Sequence, residues 1–260
     1  MMVLVIFNRQ LFAPRTIMKP EKEYSLQCQD IQNLEEYFFE IPVECPYDMR
    51  EVAVYHQALF APVPGDLMQA YLDCGYRRNG NYIYNMTCPK CSRCVPIKIR
   101  PEEFRPNRNQ KRTLKNNRDV SYSISPFQCT EEKLALCNKF LNTRYPGHNS
   151  CAQDYYSGFF LNNITGSFEV EYRLGSKLLG VAIIDAGRSW MSAVYFYFDP
   201  EEEKRSPGTH NILSLIDICR RKNIPNLYLG YWLKDKPSMK YKANFKPHYV
   251  LEHEMWKRVA

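Results

Sequence analysis

The clearest hydrophobic pattern lies in the second half of the chain. Apolar and polar residues alternate over positions 168–174, and a second strand-like run follows at positions 178–185 after Gly175 and Ser176. Alternation with a period of two predicts strands, and a glycine-containing pair between two strands predicts a hairpin. Residues 190–198 and 226–232 predict two more strands. A sheet is therefore expected in this half.

Other segments repeat their apolar residues at helical spacing. Helices are predicted at 66–75, from the cap residue Thr130 to about Tyr145, and after Ser206, with a shorter helix at 154–161. The residues expected on the inner faces of the three longer helices are Leu67, Ala70, Tyr71, Cys74, Leu134, Cys137, Leu141, Ile212, Leu215, Ile216 and Cys219. Strands and helices together predict an α+β fold built on a mixed sheet.

The first half is dominated by a cysteine-rich turn. Cys88, Cys91 and Cys94 stand at i, i+3 and i+6, and the strands predicted at 82–84 and 97–99 are expected to flank them as a pair. This spacing lets thiolates converge on an iron–sulfur cluster or on a tetrahedral zinc ion, and a metal-free packed turn is the third interpretation. Cys45 is the nearest outlying candidate for a fourth ligand.

Composition narrows the class of protein. The 260 residues carry a net charge of +7, are 14% aromatic and include 19 Tyr, a balance that favours nucleic-acid binding. No signal peptide and no membrane-length apolar run stands out, so we expect a cytoplasmic protein without a membrane partner. Its thiols should then be reduced, and the scattered cysteines are expected in the core. These are Cys74, Cys129, Cys137, Cys151 and Cys219.

Several motifs carry a family resemblance that runs from about residue 41 to residue 251. They are CPYDMR (45–50), GYRRNGNYIYNMTCPKCSRCVPIKIR (75–100), FRPNRNQKRTLKNN (104–117), AVYFYFDP (193–200), LYLGYW (227–232) and MKYKANFKP (239–247). In this order they resemble the bacterial aspartate/glutamate leucyltransferases, a branch of the aminoacyl-tRNA–protein transferases. The turn after Cys45 departs from the family pattern, because it is one residue shorter and lacks its proline.

The resemblance implies a fold and a function. The fold would be an N-acetyltransferase-like acyl-transfer domain at 126–260, preceded by a smaller cysteine-motif domain at 24–125 and an N-terminal arm at 1–23. The reaction would transfer leucine from leucyl-tRNA to a protein that begins with Asp or Glu, creating a signal for a downstream N-end rule protease adaptor. Arginyl transfer, acetyl-CoA-dependent N-acetylation and a non-catalytic zinc and RNA-binding module are the alternatives.

This chemistry requires little of the protein, because an aminoacyl ester is already activated. The enzyme must align an amine, stabilise an oxyanion and route a proton, so no metal or covalent nucleophile is required. The candidates for these tasks are Tyr195, Asp199, Tyr228 and Tyr231. For the acidic N-terminal residue of the substrate, the first candidates are Arg77 and Arg78 and the second are Lys240 and Lys242.

Contacts with tRNA are expected from two basic segments. The helix predicted at 109–117 presents Lys111, Arg112 and Lys115 on one side, and Arg105 and Arg108 precede it. The loop of Arg205, Gly208 and Thr209 precedes a helix N-terminus, where free N–H groups can hold the 3′ end of the tRNA.

The resemblance also implies that an N-terminal cysteine, Cys45, joins Cys88, Cys91 and Cys94 as a ligand.

Overall fold

The computed structural model describes residues 31–147 and 150–260. Twelve strands in this part of the chain form one four-stranded and one eight-stranded sheet. The strands are β1 (Phe39–Glu44), β2 (Val52–Leu59), β3 (Arg77–Asn79), β4 (Tyr82–Met86), β5 (Val95–Ile99), β6 (Val120–Pro126), β7 (Ser167–Leu174), β8 (Lys177–Ala186), β9 (Trp190–Phe198), β10 (Asn226–Trp232), β11 (His248–Glu252) and β12 (Met255–Val259).

Helices cover these sheets. The longer ones are α1 (Gly65–Asp73), α2 (Arg108–Asn116), α3 (Glu131–Arg144) and α4 (Pro207–Lys222). The shorter ones are Gln32–Tyr37, Ala152–Asp154, the π-helix Tyr155–Phe160, Pro200–Arg205, Pro237–Lys240 and Tyr241–Asn244. None of the helices in the described ranges combines the length and apolar character needed to cross a membrane.

The large sheet has helices on both faces. Its strand order is β12-β11-β5-β10-β9-β8-β7-β6, and α4 packs on one face through residues such as Ile212 and Leu215, with α2 beside it. On the opposite face, α3 covers Val181 and Ile183, while α1 meets Tyr228. The small sheet, of order β1-β2-β4-β3, lies beside α1 on that same face. This face of the large sheet is therefore covered by α3 over β8, and by α1 with the small sheet over β10.

The elements predicted from periodicity are confirmed. The hairpin of β7 and β8 turns at Gly175, whose φ of 57° lies in the left-handed region that glycine tolerates. The hydroxyl of Thr130 caps α3 by accepting the N–H of Lys133. At α2, Asn107 and Gln110 form a reciprocal capping box. Local signals of this kind determine where each element begins.

The predicted pairing around the cysteine turn is wrong. β4 pairs with β2 and β3 in the small sheet, whereas β5 pairs with β10 and β11 in the large one. β6 falls almost entirely within the smaller domain predicted at residues 24–125, but it pairs with β7 in the large sheet. The sheets therefore do not divide at residue 125. Residues 1–23 lie outside the described ranges.

Two strands separate near the middle of the large sheet. β10 runs parallel to β9, but the two pair only where Asn226–Tyr228 face Trp190–Ser192. Beyond this point β10 is irregular against β5, and Gly230 adopts a φ of 80°. β9 carries its own bulge, where Val194 is the extra residue. Some backbone carbonyl groups that would pair in a regular sheet can therefore accept hydrogen bonds from side chains.

Candidate active site at the separation of two strands

Arg77 reaches from the small sheet into the separation of β9 and β10. Its Nη2 donates to the carbonyl of Ala193 at 3.3 Å, and its guanidinium carbon lies 5.9 Å from the centre of the Tyr231 ring. A Cβ at Gly230 would collide with this guanidinium, so the strand admits Arg77 only because glycine stands there. The Nε of Arg77 is buried and has no hydrogen-bond partner among the described residues.

Lys242 enters the same region from the segment after β10. Its Nζ donates to the carbonyls of Leu229 and Tyr231, both at 2.8 Å. Burial, reinforced by the charge of Arg77, lowers the pKa of Lys242 to about 7. Within residues 31–147 and 150–260, no carboxylate forms a hydrogen bond or an ion pair with Arg77 or Lys242. The site thus holds the Arg77 cation and a lysine amine that titrates near neutral pH, with no counter-ion among the described residues.

Phenol groups surround these two cations. Tyr231 donates to the side-chain oxygen of Asn85 at 3.1 Å, and its ring meets that of Tyr84 edge-on at 6.2 Å. Tyr47 belongs to the same electrostatic cluster as Tyr84 and Arg77. Burial raises the pKa of Tyr47, Tyr84 and Tyr231, so all three phenols are neutral near pH ~7 and can donate a hydrogen bond.

Arg78 has a different environment from its neighbour. Its Nε and Nη2 donate to the two oxygens of Asp185 at 2.6 and 3.0 Å, and both side chains are about 1% exposed. Its Nη1 donates to the carbonyls of Gly80 and Phe159. An internal carboxylate therefore occupies the position that we expected a substrate carboxylate to take, and only Arg77 of this pair stays available. Lys240 is exposed to solvent.

Tyr195 lies two residues beyond Ala193 on β9, in an aromatic cluster. Its ring contacts those of Tyr155, Phe159 and Phe160, with centroids 5.2 to 5.6 Å apart. Its hydroxyl is buried and lies beside the hydroxyl of Tyr155. Burial, followed by the neighbouring Tyr155, raises its pKa. Like Tyr231, Tyr195 is a neutral potential donor.

The other two catalytic candidates are engaged elsewhere. Asp199 binds Lys139 at 2.7 Å and Lys177 at 2.9 Å, and it caps the helix Pro200–Arg205. Burial opposes the ionisation of Asp199, but the two lysines outweigh it and lower its pKa. Tyr228 donates to Asp73 at 2.7 Å beneath α1. The structure therefore brings Tyr231, Arg77 and Lys242 together, and holds Asp199 and Tyr228 in separate polar networks.

The four predicted cysteine ligands come close to one another. Burial, together with Cys88, Cys45 and Cys91, raises the pKa of Cys94 to about 12, and Cys88 accepts the N–H of Val54 at 3.4 Å. Thiols suit iron–sulfur and zinc binding in type and in proximity. Among the described residues, however, no three such groups are arranged as ligands of one ion. We call these four residues the thiol cluster.

The remaining cysteines differ in their environment. Cys137 and Cys219 are buried as expected, Cys151 is half-buried and Cys129 is exposed. Cys74 is disulfide-bonded, which corrects its interpretation as a reduced core residue.

The predicted tRNA-binding residues fall into two groups. Arg108, Lys111, Arg112 and Lys115 are exposed on α2 and form no ion pair within the described residues, while Arg105 is exposed nearby and donates to the carbonyls of Glu102 and Phe104. Arg205 binds Asp119 and Glu202 instead, which leaves the free face of α2 as the stronger candidate. At the N-terminus of α4, Gly208 faces the Tyr241 hydroxyl and Thr209 is half-buried.

Sequence reasoning missed part of this site. Tyr84 and Gly230 were not singled out, although an isolated glycine inside a predicted strand signals a bulge or a close backbone approach. Tyr84 carries no such signal, because its alternating position in a strand is equally typical of a core residue.

Comparison with known proteins identifies relatives over most of the chain. Family models of the arginine-tRNA-protein transferases match residues 43–112 (N terminus) and 132–252 (C terminus). An aspartate/glutamate leucyltransferase of Hahella chejuensis is 35% identical, with 74% of this chain and 82% of that protein covered. The protein of the same name from Nitrosococcus oceani is 38% identical (70% and 78% covered), and that from Marinobacter nauticus is 30% identical (86% and 96% covered).

Solved structures are more distant. The C-terminal domain of a putative lysylphosphatidylglycerol synthetase from Agrobacterium fabrum covers 78% of this chain and 66% of that chain, with 12% identity and a TM-score of 0.46. That score is too low to establish a shared fold. The sequence matches, by contrast, span both sheets and confirm the resemblance seen in the motifs. The chain belongs to the arginine-tRNA-protein transferase family, among the aspartate/glutamate leucyltransferases.

Proposed function

We propose that this protein is an aminoacyltransferase that moves leucine from leucyl-tRNA onto the N-terminal Asp or Glu of another protein. The names of its relatives support this reaction, and the separation of β9 and β10 supplies a site of the required character. The new peptide bond would create an N-terminal leucine that a protease adaptor of the N-end rule pathway recognises. Arginyl-tRNA is the alternative donor.

The observation that carries this proposal is the Arg77 guanidinium, which has the Lys242 amine beside it and no counter-ion among the described residues. Arg77 is buried with Lys242 half-buried beside it, and the Nε of Arg77 has no partner among the described residues. Buried charge is costly unless it is paired, so an anionic group from outside would stabilise this arrangement. A single carboxylate fits a guanidinium well, and Asp and Glu differ only in the length of the stem that carries it.

The reaction itself needs alignment and hydrogen-bond donors. Attack by the substrate amine on the ester places negative charge on the carbonyl oxygen, and neutral phenols can donate to it. Tyr231 lies beside Arg77 and would exchange its hydrogen bond to Asn85 for one to the oxyanion, and Tyr195 has a buried hydroxyl two residues beyond Ala193. These two remain our candidates for stabilising the oxyanion.

Binding of tRNA is assigned to the exposed face of α2. Arg108, Lys111, Arg112 and Lys115 point to solvent, where phosphate contacts would supply affinity that depends on salt. At the N-terminus of α4, Ser206 makes no side-chain cap, and the first N–H groups of the helix can receive a phosphate or ribose of the 3′ end.

We further propose that the large sheet has an N-acetyltransferase-like acyl-transfer fold. We also propose that the protein works in the cytoplasm. The order hairpin, strand, helix and parallel strand from β7 to β10 supports this assignment. Acetyl-CoA is the less favoured ligand, because the loop before α4 has only Gly208 where a pyrophosphate loop uses more glycines.

The thiol cluster is proposed to be a binding site for iron–sulfur or zinc, with a role in structure rather than in acyl transfer. Because no three of these thiols are arranged around one ion in the described residues, the turn at Cys45 and the turn at Cys88–Cys94 would have to close on such a group when it binds, and the group would then hold the two turns together. An absorption spectrum of anaerobically purified protein, with iron and zinc analysis, would identify the group. Cys91→Ser should lower stability and transfer together, and full activity and solubility in this variant would contradict the proposal.

The decisive test of function uses labelled donors and short peptides. Radiolabelled leucine should pass from leucyl-tRNA to peptides that begin with Asp or Glu, and far more slowly to matched peptides that begin with Asn or Gln. Arginyl-tRNA in a parallel reaction decides the donor. No transfer to either acidic peptide from either tRNA, by folded protein, would overturn the proposal.

A further inference from the structure

The surroundings of the Lys242 amine are unusual for a lysine that only supplies charge. Two carbonyl oxygens, those of Leu229 and Tyr231, accept its hydrogens at 2.8 Å. Its remaining position faces the thioether sulfur of Met239 at 3.6 Å, which is a weak acceptor. A neutral amine has two hydrogens and one lone pair, so this environment satisfies the neutral form and offers an ammonium no strong third acceptor.

The charges nearby favour the same form. Arg77 is the cation next to Lys242, and burial together with that charge lowers the pKa of the lysine to about 7. The other ionisable groups around this pair are Tyr231, Tyr84 and Tyr47, whose raised pKa values keep them neutral near pH ~7, and Cys94 of the thiol cluster, whose pKa is raised as long as the cluster holds no metal. None of the described residues supplies a carboxylate here. A substrate that brings a carboxylate would instead favour the protonated form of Lys242.

We propose that Lys242 is the proton acceptor for the substrate's N-terminal ammonium group, and that the acidic side chain of the substrate activates it. This inference rests on the proposed function. The carboxylate binds Arg77 and cancels its charge, after which Lys242 can accept a proton. The ammonium takes the position of the flexible Met239 side chain, beside the lone pair of the lysine.

The substrate ammonium passes one proton to the Nζ of Lys242 and becomes a neutral amine. Its nitrogen attacks the ester carbonyl carbon of the leucyl group, the new C–N bond forms and the C–O bond to the ribose breaks. The nitrogen loses a second proton, which the leaving ribose oxygen takes up. Lys242 then returns its proton to water. No oxidant, reductant or further reactant is needed.

One consequence separates Lys242 from Arg77. An N-terminal Asn would bind less well because it lacks the charge that Arg77 recognises, and it would also react more slowly because it leaves Lys242 unactivated. The wild type should therefore distinguish Asp from Asn in kcat as well as in KM. A variant without the acceptor should retain the KM difference and lose most of the kcat difference.

The test compares Lys242→Arg and Lys242→Met with wild type in leucine transfer from leucyl-tRNA, between pH ~5.5 and ~9. Lys242→Arg keeps the positive charge but cannot accept a proton, so kcat at pH ~7 should fall about 100-fold or more. With Lys242→Met, the deficit should shrink as pH rises through the pKa of the free substrate amine, about 8. Exposed Lys234 offers a matched control, and Lys234→Met should behave as wild type.

Circular dichroism and thermal melting check that each variant is folded. If Lys242→Arg keeps kcat within about threefold of wild type, or if the deficit of Lys242→Met is the same at every pH, the inference is wrong while the proposed function stands. If the wild type itself transfers no leucine, the proposed function fails first. The two failures are thus distinguishable.

Discussion

Arg77 and Arg78 are adjacent in sequence but point to opposite sides of a short strand. Alternation along β3 directs Arg77 into the separation of β9 and β10, and directs Arg78 to Asp185 on β8. One side chain has an unused donor, and the other has a bidentate carboxylate partner. Their substitution should therefore have different effects.

For Arg77, we expect a defect in function. Arg77→Met should raise KM for a peptide that begins with Asp by about 10- to 100-fold, because a charged hydrogen bond contributes about 1.5–3 kcal/mol. The preference for Asp over Asn should fall by a similar factor. Steady-state transfer to the two peptides measures both. Arg188 is exposed on the turn before β9, and Arg188→Met is the control. An unchanged Asp-to-Asn ratio in Arg77→Met would contradict this assignment.

For Arg78, we expect a defect in stability. Arg78→Met leaves Asp185 buried and without its cation, which should cost about 3–5 kcal/mol of unfolding free energy in urea titrations. The exposed pair of Arg221 and Asp217 is the comparison, and Arg221→Met should cost less than about 1 kcal/mol. If both substitutions lower the free energy of unfolding by the same amount, the buried pair of Arg78 and Asp185 stabilises the protein no more than an exposed ion pair does.

The depressed pKa of Lys242 also makes a prediction about stability. The folded protein releases this proton near pH 7, whereas an unfolded lysine holds it up to about 10.5. The unfolded state therefore binds more protons between these values, and stability should rise with pH across this window. Lys242→Met should lack this contribution, so the difference in melting temperature between wild type and variant should grow from pH ~7 to ~9. A difference that does not depend on pH would mean that the lysine has a normal pKa.

At the scale of elements, α2 presents a free basic face. Its capping box fixes the N-terminus, and buried Gln110 and Thr113 hold the inner side, so Lys111, Arg112 and Lys115 must face outward. The triple variant Lys111→Gln, Arg112→Gln, Lys115→Gln should weaken tRNA binding and reduce the salt dependence of log K by about 0.7–0.9 per lost contact. The value of kcat at saturating tRNA should be unchanged.

Filter binding of leucyl-tRNA at several salt concentrations would measure this effect. Lys257 lies on the edge strand β12 in an exposed pair with Glu252, and Lys257→Gln is the matched control. If the triple variant and the control have the same salt dependence, the tRNA contacts lie on another surface.

Elements were predictable from sequence to the extent that their signals are local. Period-two alternation located β7 and β8, and Thr130 marked the start of α3. The partners of β5 were not predictable, because the sequence Val95–Ile99 is equally compatible with pairing to β4 and with a position between β10 and β11. Pairing depends on the packing of distant faces, which no local pattern contains.

The site shows the same limit. Motifs identified the arginines Arg77 and Arg78 as first candidates and the lysines Lys240 and Lys242 as second. They could not separate the members of each pair, since burial and partners decide which side chain is available. The bulges that open the strands were signalled only by Gly230. The chemistry of a residue type is readable from sequence, whereas its state in the folded protein is not.

At the scale of the whole molecule, the two halves of the chain are interlocked. β5 lies between β10 and β11, and β6 lies beside β7, so residues 127–260 alone would lack both strands and leave β10, β11 and β7 each with an unpaired edge. We expect this fragment to aggregate when it is expressed by itself, and co-expression with residues 1–126 to restore solubility and leucine transfer. Size-exclusion chromatography and circular dichroism would test this. A monomeric fragment 127–260 with cooperative melting would contradict it.

The position of β5 also affects how the chain folds during its synthesis. Ile99 pairs with Leu227, which follows it by 128 positions, and this stretch takes about 6–25 s to translate at bacterial rates. During this interval, the apolar residues Ile97 and Ile99 have left the ribosome while their strand partners do not yet exist. A nascent chain in this state is a natural client for a chaperone that shields apolar strands, and faster translation of the second half should raise the yield of native protein.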